Sequence, residues 1–283
     1  MSELIWIEPR PTLRRPILVV AFSGLFDIAE VATSALTKLS RRAGSSPLGS
    51  IDPESFYDFT QQRPQARLDG DVRTVVWPSN ELVALIDATS THDLVLLRGV
   101  EPNIRWRTFA ELVAEAARTL CCELVVTLGA APDAVPHTRT PRVVGSSTTP
   151  ELASRLGLAR PQYEGPTGLI GVLLDALDRA ATPSVSLRVP VPHYALGTSH
   201  PQAVKALLRH LEHVTGMPTG HGSLDREVEA QRRRLDAAVA ADHQVDAYVT
   251  MLEERYDAML AESVPSGDEL AAELERFLRE QDE

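Results

Sequence analysis

The sequence predicts an α/β fold: a three-layer sandwich around a mainly parallel sheet, with a helical C-terminal extension. Three observations carry this. Short apolar runs recur as far as Val189, and several show no alternation, as strands covered on both faces do. Between them lie segments whose apolar residues repeat at helical spacing, and alternating strands and helices build parallel sheets with right-handed crossovers. Beyond Thr198 no strand candidate remains. The expected division is therefore 1–198 for the α/β domain and 199–283 for the extension.

The elements follow in order. Ile17–Phe22 is a buried strand that ends in Ser23-Gly24. Ile28–Ser40 is a helix with Ile28, Val31, Ala32, Ala35, Leu36 and Leu39 on one stripe. Arg41–Asp52, rich in Arg, Gly, Ser and Pro, reads as a mobile loop. Val72–Trp77 is a strand of mixed character, expected near an edge, and Leu94–Arg98 is a fully apolar run closed by Gly99. Phe109, Leu112, Val113, Ala116, Ala117 and Leu120 mark a second helix, where Thr108 and Glu111 offer a capping box. Leu124–Leu128, Arg142–Gly145 and Ser184–Val189 complete the strands. Pro150–Leu156, stopped by Gly157, and Thr167–Ala181, led by Pro166, are helices.

In the extension, Gln202–Thr215 is a helix closed by Gly216 and Pro218. Leu224 to about Ala261 is one long helix or two in series, and Asp268–Glu280 is an acidic amphipathic helix. Val245, Val249, Leu252, Tyr256 and Met259 form a heptad stripe, either an interaction surface or a face packed on the main domain.

Bulk properties bound the function. The 283 residues suffice for one large α/β domain with an appendage. With 28 Lys and Arg against 39 Asp and Glu, the formal charge is −11, which argues against a nucleic-acid binder while leaving room for a local basic pocket. No apolar run reaches the roughly 18–20 residues that span a bilayer. Met1–Arg15 has no leader pattern, so the expected location is the cytoplasm. Cys121 and Cys122 are adjacent, match no zinc spacing, and read as reduced thiols at a buried helix end. Neither a metal nor a cofactor is expected.

Open α/β sheets meet their ligands at the carboxyl ends of the strands. Ser23 and Gly24 stand there: their N–H groups either hold an anion or form a tight turn, without a Walker lysine or dinucleotide fingerprint. Arg98 either pairs with Glu101 or grips an oxyanion, beside Arg105 and Trp106. His137, flanked by Thr138 and Arg139, suits acid–base or anion work, or equally a pinned loop. Glu164 and Thr167 stand at a helix start, and His193 and Tyr194 follow the last strand. No G-x-S-x-G elbow and no H-E-x-x-H is present, so no nucleophile or metal set can be chosen.

At these motifs the chain resembles the actinobacterial branch of the proteasome assembly chaperone 2 family. The resembling pieces are Val20-Ala-Phe-Ser-Gly-Leu25, Phe56-Tyr-Asp-Phe59 with Arg63-Pro64, and Val76-Trp-Pro78. They continue with Leu96-Leu-Arg-Gly-Val-Glu-Pro-Asn-Ile-Arg-Trp-Arg-Thr-Phe109, Thr127-Leu-Gly-Ala130 and Val135-Pro-His-Thr-Arg139. Tyr163-Glu-Gly-Pro-Thr-Gly168, Val191-Pro-His-Tyr194 and Tyr248-Val-x-x-Leu-Glu253 complete them. The resemblance implies a fold similar to nucleoside phosphorylases and related hydrolases, with Ser23-Gly24 and Arg98 at positions that imitate a phosphate site. Arg188 departs from it, standing where an aromatic is expected.

Two functions follow as expectations. The leading one is a protein-binding, assembly-factor-like module acting as a homo-oligomer, with a trimer as its provisional size. The alternative is a phosphorylase- or hydrolase-like enzyme, or a binder of a small anion or nucleoside, with its pocket at the carboxyl edge. If Arg98, His137 and Glu164 line one concavity, the alternative gains. If internal pairs consume them and apolar surface is exposed, the protein-binding module gains.

Overall fold

The computed structural model describes residues 3–263 of the chain. Its strands are β1 (Leu4–Trp6), β2 (Ile17–Ser23), β3 (Ser45–Ile51), β4 (Gln65–Asp69), β5 (Val72–Val76), β6 (Asn80–Leu85), β7 (Leu94–Val100), β8 (Leu124–Asp133), β9 (Val144–Ser146) and β10 (Ser184–Pro192). Its helices are α1 (Val31–Ser40), α2 (Trp106–Thr119), α3 (Pro150–Leu156), α4 (Leu169–Arg179), α5 (Pro201–Thr215), α6 (Asp225–Ala240) and α7 (His243–Ser263). One sheet has the order β1-β3-β6-β7-β2-β8-β10-β9, and β4 and β5 form a hairpin outside it. The strands β7, β2, β8 and β10 run parallel at its centre, flanked by antiparallel neighbours.

Three layers follow from the pleat. Successive side chains of a strand point to opposite faces. Val19 and Ala21 of β2 join Leu96, Val126 and Val189 beneath α1 and α5, whereas Leu18, Val20 and Phe22 join Leu97 and Val125 beneath α2 and α4. Both faces of the central strands are thus apolar, which is why those strands read as continuous runs.

Several expectations change. Arg41–Asp52 is not a mobile loop: β3 runs through it, with Leu48 and Ile51 buried and a bulge that accommodates Pro47 and Gly49. Val72–Trp77 contributes β5 to the separate hairpin rather than to an edge of the main sheet. The helix α2 starts at Trp106, ahead of the proposed Thr108 cap, with Arg105 in the left-handed conformation at its start. Cys121 is exposed, not buried; Cys122 is half-buried, and burial pushes its thiol up to about 12.

The segment beginning at Leu224 divides into α6 and α7. Asp242 causes the break, its carboxylate accepting from Gln244 N at 2.9 Å and capping the second helix. Val249, Leu252 and Tyr256 of the heptad stripe are buried, whereas Met259 is exposed. The helix α5 shares the core under α1, with Leu207, Leu208 and Leu211 buried there. The expected helix Asp268–Glu280 lies outside the described residues.

Candidate functional site

The carboxyl edge of the sheet is built in two halves. At the centre, β2 and β7 end side by side, and Glu101 N donates to Ser23 O at 2.9 Å. The turn after the first strand takes up one of the chain's own carboxylates, and the donors are Leu25 and Leu169 rather than Ser23 and Gly24. The Glu101 carboxylate accepts from Leu25 N at 3.1 Å and from Leu169 N, the first residue of α4, at 3.2 Å. A carboxylate is favoured at a helix N-terminus because unpaired N–H groups and the helix dipole point at it. Gly24 has to be glycine: a Cβ there would lie 2.3 Å from Glu101 Oε2.

The start of α1 is closed in the same way. Buried Asp27 accepts from Ala32 N at 2.6 Å and Thr33 N at 3.3 Å, and desolvation pushes its carboxyl above the usual range. Both helix starts along this part of the rim are therefore occupied by the chain's own acids.

Arg98 turns away from Glu101. Its Nη1 donates to Thr37 Oγ1 at 2.9 Å, and its Nη2 meets Glu81 Oε2 at 3.4 Å. It shares with Ser23 a groove of about 330 Å³ between α1 and the β4–β5 hairpin. Arg105 lies elsewhere, paired with Glu3 at 2.8 Å and stacked over Phe56. Glu164 and Thr167 are exposed on the loop before α4.

The second half of the edge, beyond β8 and β10, gathers His137, Thr138, Arg139, His193 and Tyr194. Buried His137 sits between two partners: its Nδ1 is 2.7 Å from Tyr194 Oη and its Nε2 is 3.0 Å from Asp236 Oδ1 on α6. The Tyr194 oxygen also accepts from His137 N at 2.8 Å, so the residue is tied to Tyr194 through both its backbone and its ring. Burial pushes the Tyr194 phenol up to about 12.

The neighbouring side chains bond to α7. Arg139 grips Asp257 in a fork, Nε to Oδ1 at 2.9 Å and Nη2 to Oδ2 at 2.8 Å, which holds the Asp257 carboxyl below its usual value. Thr138 donates to Glu253. His193 accepts a place between Asp133 O at 3.0 Å and Tyr248 Oη at 3.2 Å. The cavity left beside His137 is about 20 Å³, room for about one water molecule.

Among the described residues the candidate positions divide, Ser23 and Arg98 lining the 330 Å³ groove and His137 and Arg139 the 20 Å³ cavity. A larger cleft, about 480 Å³, lies at the opposite pole, where Ile17 and Leu124 begin their strands. Among the described residues no three His, Cys, Asp or Glu side chains cluster to hold a metal, and no helix is long and apolar enough to cross a membrane. Sequence reasoning missed the acids of α6 and α7, which lie about a hundred positions from their partners and carry no local signal. It also passed over Arg67, whose groove exists only once the hairpin folds.

Fold and rim together define a three-layer α/β domain whose carboxyl edge is sealed on one half by its own helices and lined with arginine on the other. The chain belongs to the PAC2 family, whose model matches residues 21–239. It is similar to a PAC2 family protein of Streptomyces avermitilis: 38% identity, TM-score 0.77, covering 83% of this chain and 99% of that one. It is also similar to a proteasome-assembly chaperone homologue of Mycobacterium tuberculosis: 35% identity, TM-score 0.75, covering 82% and 99%. PbaB of Pyrococcus furiosus, an archaeal proteasome activator, shares the fold at 18% identity with a TM-score of 0.67, over 84% of this chain and 99% of that one. No curated protein matches the chain.

Proposed function

We propose that this protein is a protein-binding, assembly-factor-like module of the cytoplasm that acts on proteasome subunits by surface recognition, as a homo-oligomer. One observation carries the reading. The polar side chains that would serve an enzyme at β8 and β10 are spent on holding α6 and α7: His137 on Asp236, Thr138 on Glu253, Arg139 on Asp257. Apolar side chains meanwhile face solvent, with Leu25 at 67% exposure, Leu68 at 75% and Trp77 at 47%. Exposed large apolar side chains suit association with another protein. The mycobacterial relative, itself described as a proteasome-assembly chaperone homologue, supports the choice of partner. We take 225–263 as the appended unit, because α5 shares the core of the sheet.

The test is sedimentation of the purified chain with purified proteasome α and β subunits of its own source. A discrete complex is expected, with faster formation of the assembled core particle. Absence of any complex overturns the reading. Saturable thermal stabilisation by phosphate, nucleosides or nucleotides would instead favour a small-molecule site.

A further inference from the structure

We propose that the groove between the β4–β5 hairpin and the β2–α1 junction docks an extended acidic segment of a protein partner, gripped by Arg63, Arg67 and Arg98 beside Trp77. The proposal rests on the protein-binding reading and gives it a place on the molecule.

Charge is the first argument. The chain carries a formal −11, yet three guanidiniums line this one concavity against a single carboxylate, exposed Glu30, a local excess of two positive charges. Arg63 and Arg67 are exposed and have neither an ion pair nor a side-chain hydrogen bond among the described residues. Arg98 has only a 3.4 Å contact with exposed Glu81 and a bond to Thr37. Exposed pairs of that kind contribute little, so an incoming carboxylate displaces Glu81 at small cost. Guanidinium forks match carboxylates in a bidentate way.

Geometry is the second. The β4–β5 register puts Gln65, Arg67 and Val76 on one face of the hairpin, and all three line the groove. The root of the hairpin is fixed. Buried Asn80 accepts from Val100 N at 3.1 Å and bonds to Tyr57, whose hydroxyl donates to Val100 O at 2.6 Å. Trp77 is braced edge-on by Phe59, with ring centroids 4.8 Å apart. Arg67 is therefore carried on a positioned arm, with Arg63 just ahead of it and Arg98 on β7 across the groove.

Residue type and exposure favour a protein over a small ligand. Arginine and tryptophan are enriched in the energetic centres of protein interfaces. A small-molecule pocket encloses most of its ligand and presents fixed polar groups, whereas Arg63, Arg67 and Trp77 are open to solvent. Both faces of the hairpin are exposed, and an isolated two-stranded hairpin is marginal in water until something packs against it.

The probe is fluorescein-labelled hexaglutamate, followed by anisotropy with the full chain at low and moderate salt. Saturable, salt-sensitive binding is expected. The double substitution Arg63→Glu/Arg67→Glu should weaken it by about tenfold or more, with Arg67→Ala giving a smaller loss. The control Arg233→Glu, on α6, should leave it unchanged. The proposal is overturned if hexaglutamate does not bind, if the double variant binds it equally well, or if inorganic phosphate binds as tightly as the peptide. A change of oligomeric state in the double variant also overturns it, by assigning the groove to a second copy. A proteasome-subunit complex that survives the double substitution sinks the groove and leaves the function standing. Loss of hexaglutamate binding in the double variant, with no subunit complex in the parent, spares the groove and sinks the proteasome-directed function.

Discussion

Two appendages stand on the carboxyl edge of one sheet, and they differ in what they leave unsatisfied. The α6–α7 pair is docked: Val249, Leu252 and Tyr256 are buried, and Asp236, Asp257 and Tyr256 bond to His137, Arg139 and the Thr140 carbonyl. The β4–β5 hairpin is anchored only at its root, with all ten of its strand residues exposed. The lesson is that polarity at a strand end does not by itself mark a ligand site. The His–Tyr–Asp chain at α6 has the residue types of acid–base chemistry and serves as a joint. Arg63 and Arg67 by the hairpin have no ion pair or side-chain hydrogen bond among the described residues, which is why they are the better candidates for binding.

The largest way to break this contrast is at the hairpin root. A Cβ at Gly99 would lie 1.8 Å from Asn80 Oδ1 and 2.6 Å from the Ser79 carbonyl oxygen. Gly99→Ala should therefore cost about 3 kcal/mol or more in chemical denaturation, because backbone and a fully buried amide both have to move. A loss below the error of measurement would show that the root is soft.

The docked side should respond next. His137→Ala removes the ring that links Tyr194 to Asp236, empties a buried site, and leaves the half-buried Tyr194 hydroxyl with only the backbone N–H of residue 137. It should cost about 2 kcal/mol and make 225–263 the first segment cut in limited proteolysis. Unchanged protease resistance would mean that the apolar stripe alone holds the helices.

A pH titration sharpens the same comparison. His200 is buried on the docked side, its Nε2 2.9 Å from Ala195 O, and desolvation lowers its pKa from the ordinary 6.5. A histidine whose folded value is depressed contributes stability that is full above 6.5 and is lost as pH falls through the folded value. The melting temperature should accordingly drop on mild acidification, and His200→Gln should flatten that dependence. A parent profile as flat as the variant's would remove the histidine from the account. Asp27, pushed upward by burial, acts oppositely, with its contribution full only below the ordinary carboxylate range.

The smallest effect belongs to the free side. Arg63→Glu/Arg67→Glu should change stability by no more than about 0.5 kcal/mol, as exposed positions away from packed features do. A larger loss in denaturation would reveal a structural task for these arginines.

Much of the fold was legible because burial on both faces imposes a local pattern. Ile17–Phe22 and Leu94–Arg98 read as strands from their unbroken apolar runs, and Ile28–Ser40 as a helix from spacing, although the regular helix starts only at Val31, after a tight turn with Ala29 in the left-handed conformation. The strands β3 and β6 did not. Ser45–Ile51 contains Pro47 and Gly49, both turn signals, and becomes a strand only because β1 and β6 flank it and a bulge absorbs the irregularity. Asn80–Leu85 opens on an asparagine that is buried only because Tyr57 and Val100 satisfy it.

The candidate site was legible as a set of loops and not as a set of partners. Glu101 looked equally ready to pair with Arg98; the β2–α1 turn and the start of α4 took it instead. The chain alone determined the three layers, the strand ends and the family, since these rest on periodicity and short motifs read within a few residues. Tertiary structure alone decided which rim residues are consumed and which remain free. Pairs such as His137–Asp236 and Arg139–Asp257 span about a hundred residues of sequence, and only packing of the helices onto the sheet brings those groups within bonding distance.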